Sequence, residues 1–269
     1  MEQPRAVADV SRPWHDRRRR AAELRERYSF ADEMLRLFEA LVDVQEHAFA
    51  AVRTHPPTDQ DLPRWVSEEV LPEILDATVA HGPRGLAEAV DAYRRPWAGG
   101  AGLIADWLRN PGAQSPVETY LARAAASPVL EASADLAAAT RNGQPDARHC
   151  PLCGGLPQLS YFAHSGEELV TGPRYLLCSR CNNSWPFARL TCASCGEQTA
   201  ARLPAFGEAA LFPHVRIDAC ESCGRYLLTF DPRKDARCVP YVDELAATPL
   251  DLYARDHGFT KITPNLMGM

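Results

Sequence analysis

The stretch YLLCSRCNNSWPFARLTCASCGE, residues Tyr175–Glu197, contains two Cys-x-x-Cys pairs separated by ten residues. Cys178 and Cys181 form the first pair, and Cys192 and Cys195 form the second. Either these four cysteines bind one metal ion together, or each pair belongs to a different site. The positions of the other cysteines in the chain distinguish these two arrangements.

The chain contains nine cysteines, none before position 150, and the first eight form four Cys-x-x-Cys pairs. A shift of 42 residues superimposes the first two pairs on the last two, so the chain repeats C-x2-C-x24-C-x2-C. A fixed period is the signature of a duplicated unit. Each unit is therefore predicted to close one four-sulfur site, and these sites are Cys150, Cys153, Cys178, Cys181 (site 1) and Cys192, Cys195, Cys220, Cys223 (site 2). The rival grouping joins the two middle pairs and the two outer pairs, and it ignores the duplication.

The residue after each pair fits a metal-binding turn. These residues are Gly154, Asn182, Gly196 and Gly224, and glycine and asparagine tolerate the positive φ that such a turn needs. Four thiolates suit Zn²⁺ or a mononuclear rubredoxin-type iron, and the spacing does not separate the two metals. The alternatives are disulfides, ordinary buried thiols or thioredoxin-like chemistry, although no βαβ pattern surrounds any pair.

The remaining candidate ligands are interpreted as non-ligands. Cys238 stands alone, and we expect a small buried or half-exposed side chain there. His149 and His214 lie close to cysteine pairs. Each predicted site already has four cysteines, so neither histidine is needed.

Composition is that of an ordinary folded protein, with 46% hydrophobic and 24% charged residues among 269. No apolar run approaches the ~18 residues of a membrane helix, and the basic N-terminus lacks the apolar core of a signal peptide. We therefore expect a cytoplasmic protein without membrane insertion. Reducing conditions there favour metal-binding or redox thiols over structural disulfides.

The predicted fold class is α+β. An N-terminal all-α helical domain (1–140) is followed by a linker (141–149). Next comes a tandem rubredoxin-like or zinc-ribbon β module with two four-cysteine metal sites (150–240, with units 150–181 and 192–223), and then a C-terminal helix and tail (241–269). The helical prediction rests on periodic apolar positions such as Phe38, Leu41 and Val52. The β prediction rests on the segments RYLLC, HVRIDAC and RYLLTF.

Charge weighs against nucleic-acid binding. The run Arg17–Arg20 is interpreted as a solvated helix start, because four successive helical residues point in all directions. Residues 146–240 carry 10 basic and 9 acidic side chains, whereas nucleic-acid-binding ribbons normally show a basic excess.

The chain resembles the formate dehydrogenase accessory protein family, FdhE. The resemblance runs through CPLCGGLP, RYLLCSRCNNSWPFARLTCASC, CESCGRYL and VDELAATPLDLYARDHGF, and it includes Asn265. The segment RRRRAAELRERYSFADEMLRLFEALVDVQ, with Gln45, also resembles the N-terminal region of the family. The resemblance implies a helical domain before two rubredoxin-like sites, iron at the eight paired cysteines, and a cytoplasmic protein needed for formate dehydrogenase activity.

The functional hypothesis is a non-enzymatic maturation protein that binds the immature molybdenum-containing catalytic subunit of formate dehydrogenase. Two metal ions are expected, iron or zinc, with iron favoured for function and zinc possible in the purified protein. Tyr175, Trp185, Arg189 and Tyr226 lie beside the pairs and are either partner contacts or caps of the ribbon core. The alternatives are a zinc-ribbon nucleic-acid-binding or structural interaction protein, and a rubredoxin-like electron carrier.

Overall fold

The computed structural model describes residues 12–94, 99–143, 146–163 and 172–269. Parts of the predicted helical domain (1–11 and 95–98), of the linker (144–145) and of the first repeat unit (164–171) lie outside these ranges. The domain limits at 140, 149 and 240 stay predictions.

The first half of the chain is helical, as its apolar periodicity predicted. A π-helical turn, Val66–Val70, joins the third and fourth helices. Gln45 lies on the buried face of the second helix, where its Nε2 donates to the carbonyl oxygen of Ala124 at 3.0 Å. The helices are α1 (Arg12–Arg27), α2 (Asp32–Thr54), α3 (Leu62–Trp65), α4 (Leu71–His81), α5 (Arg84–Asp91), α6 (Gly100–Arg109), α7 (Pro116–Ala132) and α8 (Ala134–Ala139).

The second half forms a seven-stranded sheet with the order β3-β2-β1-β6-β5-β4, and β7 pairs with β6 outside this path. The three segments predicted as β-prone are β2, β5 and β6. The strands are β1 (Pro157–Phe162), β2 (Arg174–Cys178), β3 (Ser184–Pro186), β4 (Ala205–Phe206), β5 (Val215–Cys220), β6 (Arg225–Phe230) and β7 (Thr260–Lys261).

The strands follow the same 42-residue repeat as the cysteines. A shift of 42 residues carries β2 onto β5 and β3 into β6, so the units read β3-β2-β1 and β6-β5-β4 in the same direction across the sheet. Parallel pairing of β1 with β6 joins them, and the Ser160 and Thr229 hydroxyls lie 2.6 Å apart across that joint. The predicted hairpins therefore belong to one continuous sheet. The cause is a pairing between strands nearly 70 residues apart, which local sequence does not encode.

The predicted C-terminal helix is divided into α9 (Pro240–Ala246) and α10 (Thr248–Asp256). Between them Ala247 has φ −81° and ψ 14°, away from helical values. Pro249 lacks an amide hydrogen and occupies the first turn of α10, a position that proline tolerates. The break turns α10 toward β5 and β7, which it contacts.

The interpretation of Arg17–Arg20 as a solvated helix start is wrong for Arg17 and Arg20, which are buried. Arg20 forms ion pairs with Asp243 of α9 and with Asp235. The guanidinium of Arg17 pairs with Glu131 and lies 4.2 Å from the ring centroid of Trp14. Trp14, Arg17 and Arg20 are three residues apart and therefore share one face of α1. This face is buried and carries two arginines that are paired with carboxylates.

Candidate metal centres

The structure groups the eight paired cysteines by repeat unit. In each site the four Sγ atoms lie within 4.8 Å of one another. The Sγ–Sγ distances in site 1 are 3.7 Å for Cys150–Cys181 and 3.4 Å for Cys153–Cys178. The equivalent distances in site 2 are 3.8 Å for Cys192–Cys223 and 3.7 Å for Cys195–Cys220.

These distances fit a tetrahedral ion. Four sulfurs at about 2.3 Å from a central metal are about 3.8 Å from one another. Disulfide sulfurs would be about 2.05 Å apart, so the eight cysteines are free thiols spaced as a metal tetrathiolate requires. The donor set is soft and closed, which suits Zn²⁺ or a mononuclear iron and leaves no open coordination position.

Each pair is shaped by a turn whose last residue has positive φ. Gly154, Asn182, Gly196 and Gly224 have φ values of 72°, 54°, 81° and 65°. Backbone N–H groups also point toward the sulfurs. The amides of Arg180 and Ser194 donate to Cys178 Sγ at 3.3 Å and to Cys192 Sγ at 3.4 Å. Such bonds favour the charged thiolate over the thiol.

The two sites differ in burial. All four cysteines of site 1 are buried, whereas Cys195 of site 2 is exposed and Cys223 is half-buried. Arg180 explains part of this difference, because its guanidinium reaches from site 1 to the carbonyl oxygen of Leu108 in α6 at 2.9 Å. Site 1 is therefore sealed against the helices, and site 2 opens to solvent on one side.

A carboxylate connects the two turns of site 2. Glu197 follows the pair ending at Cys195 and accepts from the hydroxyl of Ser222, between Cys220 and Cys223, at 2.6 Å. This bond and the backbone N–H of Thr199 lower the pKa of Glu197 to about 2. We did not predict that Glu197 connects the two turns. The sequence signal for this role is its position two residues after Cys195, the last cysteine of its pair.

The four residues predicted beside the sites lie in different environments. Trp185 is buried and its Nε1 donates to the carbonyl oxygen of Ala147 at 3.0 Å. Tyr226 is buried with its hydroxyl 2.9 Å from Asp251 Oδ1, and burial raises the pKa of this phenol. Tyr175 is half-buried, and Arg189 is exposed. Their role as partner contacts stays a prediction.

Cys238 does not join either site. It lies with His214 and Asp243 in a third cluster. Burial raises the pKa of the Cys238 thiol, which favours its neutral form. Asp243 already accepts hydrogen bonds from Arg20, from His214 Nε2 and from the backbone N–H of Val239. The guanidinium of Arg20 therefore already neutralises the carboxylate that a metal cation would need in this cluster.

Comparison with known proteins shows which domain models match the cysteine-rich segments. Residues 149–189 match the model described as FdhE, central domain, and residues 190–267 match the model described as FdhE, C-terminal domain. The first match contains site 1 and the second contains site 2. Together the two matches cover residues 149–267, so this part of the chain resembles the central and C-terminal domains of FdhE. The boundary between the two FdhE models falls where one repeat unit ends and the next begins.

Individual relatives agree. A protein FdhE homolog from Aquifex aeolicus is 35% identical over 120 residues, covering 45% of this chain and 41% of the relative. A homolog from Pseudomonas aeruginosa is 33% identical over 121 residues, covering 44% and 38%. The chain thus spans about two fifths of the length of these curated relatives.

A solved structure extends the likeness in fold. The crystal structure of the FdhE protein from Pseudomonas aeruginosa matches with a TM-score of 0.68 and covers 98% of each chain at 22% identity. At that identity the likeness concerns the fold alone, and it includes the helical half. In the described ranges, no helix is long and apolar enough to cross a membrane.

The unequal burial of sites 1 and 2 predicts unequal release of metal. Mixing zinc-loaded protein with excess EDTA should give two release phases, because site 1 must open locally before a chelator reaches it. A local opening that costs at least about 1.4 kcal/mol would slow release roughly 10-fold. A zinc-responsive dye would follow the phases.

The matched variants are Cys195→Ser and Cys238→Ser. Removing the exposed ligand Cys195 should abolish the fast phase and leave the slow one, whereas the change at Cys238, outside both sites, should preserve both phases. Release of both ions in one step from the unmodified protein would contradict the difference between the sites.

Proposed function

We propose that this chain is an accessory protein for formate dehydrogenase. It binds the immature molybdenum-containing catalytic subunit in the cytoplasm and is required for its activity. The observation that carries the proposal is the pair of compact four-cysteine groups in residues that match the two FdhE domain models. Cys150, Cys153, Cys178 and Cys181 hold one ion, and Cys192, Cys195, Cys220 and Cys223 hold the other.

The protein acts by binding rather than by catalysis. Both clusters are closed by four cysteines, so neither ion offers a position for a substrate or an activated water. Site 1 fixes the sheet against the helices, and site 2 lies at the surface, where a partner reaches it. Iron serves the function, and zinc occupies the same thiolates in protein purified with that metal.

A second candidate function is electron transfer through site 2. The exposure of Cys195 favours it, since a mononuclear iron there would lie at the surface. Such a carrier would show a reversible visible spectrum when it is reduced and reoxidised, and it would reduce a partner repeatedly. A zinc-ribbon nucleic-acid binder would instead show steeply salt-dependent binding to DNA or RNA.

Deletion of the gene tests the accessory role. Formate-dependent dye reduction in cell extracts should fall in the deletion strain and return with a wild-type copy. A copy carrying Cys192→Ser and Cys195→Ser should not restore it, because site 2 cannot close on two thiolates.

The control copy carries Cys238→Ser, a thiol outside both sites, and should restore activity. Immunoblotting would show that the dehydrogenase subunit and every variant accumulate. Unchanged dye reduction in the deletion strain, with the dehydrogenase present, would overturn the proposed function.

A further inference from the structure

A large cavity adjoins site 1, where three parts of the fold meet. Its volume is about 690 Å³, within the range of ligand-binding cavities. Helices α6 and α7 form one wall, the turns of site 1 form the second, and residues 262–268 form the third. Cavities of this kind occur preferentially where domains meet.

The lining combines apolar surface with positive charge. Trp107, Tyr120 and Leu266 supply apolar surface. Within the described part of the chain, three arginines and one histidine line the cavity, but no aspartate or glutamate does. A cleft lined by charges of one sign attracts ligands of the opposite sign.

Two of these arginines are buried without a carboxylate partner in the described residues. Arg123 donates to the side-chain oxygen of Gln158 and, at 2.8 Å, to the carbonyl oxygen of Pro264. Among the described residues, the guanidinium of Arg180 donates to backbone carbonyl oxygens alone, including that of Cys153 at 3.1 Å. A metal-loaded site 1 would offset the charge of Arg180, which adjoins it, while Arg123 would keep its charge. Buried charges are costly unless they are paired.

The same cavity collects unpaired polar groups. Seven buried side-chain nitrogen or oxygen atoms of the described residues lack a hydrogen-bond partner, and five belong to residues that line the cavity. Four of the five can donate a hydrogen bond, three through nitrogen and one through a hydroxyl, and oxygen atoms of a ligand would satisfy them. The five atoms are Gln114 Oε1, Arg123 Nε, Arg180 Nε, Thr263 Oγ1 and Asn265 Nδ2.

We propose that this cavity binds an amphipathic organic anion, whose oxyanion group is held by the buried arginines and whose apolar body contacts Trp107 and Tyr120. The site is separate from the accessory role and does not depend on it. Because the turns of site 1 form one wall, an occupant would connect that site with the helices and with residues 262–268.

Fluorescence titration of the full, metal-loaded chain tests the site with two matched dyes. The first is 1-anilinonaphthalene-8-sulfonate, and the second is N-phenyl-1-naphthylamine, the same skeleton without the sulfonate. The sulfonate dye should bind saturably at one site. Octanoate should displace it, and inorganic phosphate at the same concentration should not, because phosphate lacks an apolar body.

Substitutions of residues that line the cavity test whether the dye binds there. Arg123→Gln should weaken sulfonate binding about 10- to 100-fold and change binding of the uncharged dye little. The control Arg64→Gln removes an arginine whose side chain is 66% exposed and which is not among the lining residues. It should change neither affinity.

Gly112→Trp blocks the cavity without touching an arginine. Gly112 lines the cavity, and a Cβ placed there meets no atom within 4 Å, so the variant is expected to fold. Both dyes should bind it more weakly. Unchanged binding of both dyes to Gly112→Trp, unchanged sulfonate binding to Arg123→Gln, or equal displacement by phosphate would overturn the proposal.

Discussion

Replacing Cys178 by serine should remove one metal ion per chain and unfold the sheet around site 1. Cys178 is fully buried at the end of β2, and its sulfur lies 3.4 Å from that of Cys153. A serine hydroxyl is a poor ligand for a soft site, and without the ion three thiols remain unbridged in the core. Structural zinc sites contribute on the order of 10–16 kcal/mol to folding, against a total stability of about 5–15 kcal/mol for a domain.

Two measurements on the Cys178→Ser protein check this expectation. Elemental analysis should fall from two ions per chain to one. Amide hydrogen exchange should lose protection in β1 and β2, which pair directly. The control Cys238→Ser removes a thiol outside both sites and should keep both ions and the protection. A Cys178→Ser protein that kept two ions and protected strands would show that site 1 is not a structural metal site.

Replacing Arg20 by alanine should lower the free energy of unfolding by about 3–5 kcal/mol, because it leaves buried carboxylates without a positively charged partner. The Arg20 side chain is 2% exposed, and its nitrogen atoms lie 2.9 Å from oxygens of Asp235 and Asp243. This contact joins α1 to α9, so the loss should loosen the attachment of the first helix to the last part of the fold.

The neighbouring residue gives the matched control. Arg19 lies on the same helix and is 47% exposed, and its ion pairs within the described residues are with Asp16 and Glu23. Arg19→Ala should change stability by no more than about 0.5 kcal/mol, as exposed pairs contribute little. Urea titration of the metal-loaded proteins would measure both effects.

A double variant separates charge from packing. Adding Asp243→Asn to Arg20→Ala should recover part of the lost free energy of unfolding, because it removes one of the two unpaired buried carboxylates. Equal urea midpoints for Arg20→Ala and Arg19→Ala would contradict the importance of the buried network.

The cysteine grouping could be predicted because it depends on spacing alone. The 42-residue offset fixes which pairs belong to one unit, and the turn residues Gly154, Asn182, Gly196 and Gly224 show the local geometry directly. The amphipathic face of α2 was equally predictable, since its 3.6-residue period is a local property.

Features that depend on distant partners could not be predicted. The run Arg17–Arg20 gives no sign that Glu131, Asp235 and Asp243 will meet two of its members, since these acids lie more than 100 residues away. The continuous sheet likewise depends on the pairing of β1 with β6.

The difference between the two sites was also hidden in the sequence. Their spacing is identical, yet site 1 packs against α6 through Arg180 while Cys195 of site 2 faces solvent. Burial of a repeat unit depends on the elements packed around it, and the cysteine spacing does not specify those elements. The large cavity has the same origin, because its walls come from three separate segments.

X-ray absorption spectroscopy at the metal edge, on protein purified anaerobically and analysed for metal content, tests the central claim most directly. Two mononuclear sites predict two ions per chain, each with four sulfur neighbours at about 2.3 Å and no second metal nearby. Nitrogen or oxygen neighbours at the metal, a metal–metal vector, or a protein that folds with no bound metal would contradict the account.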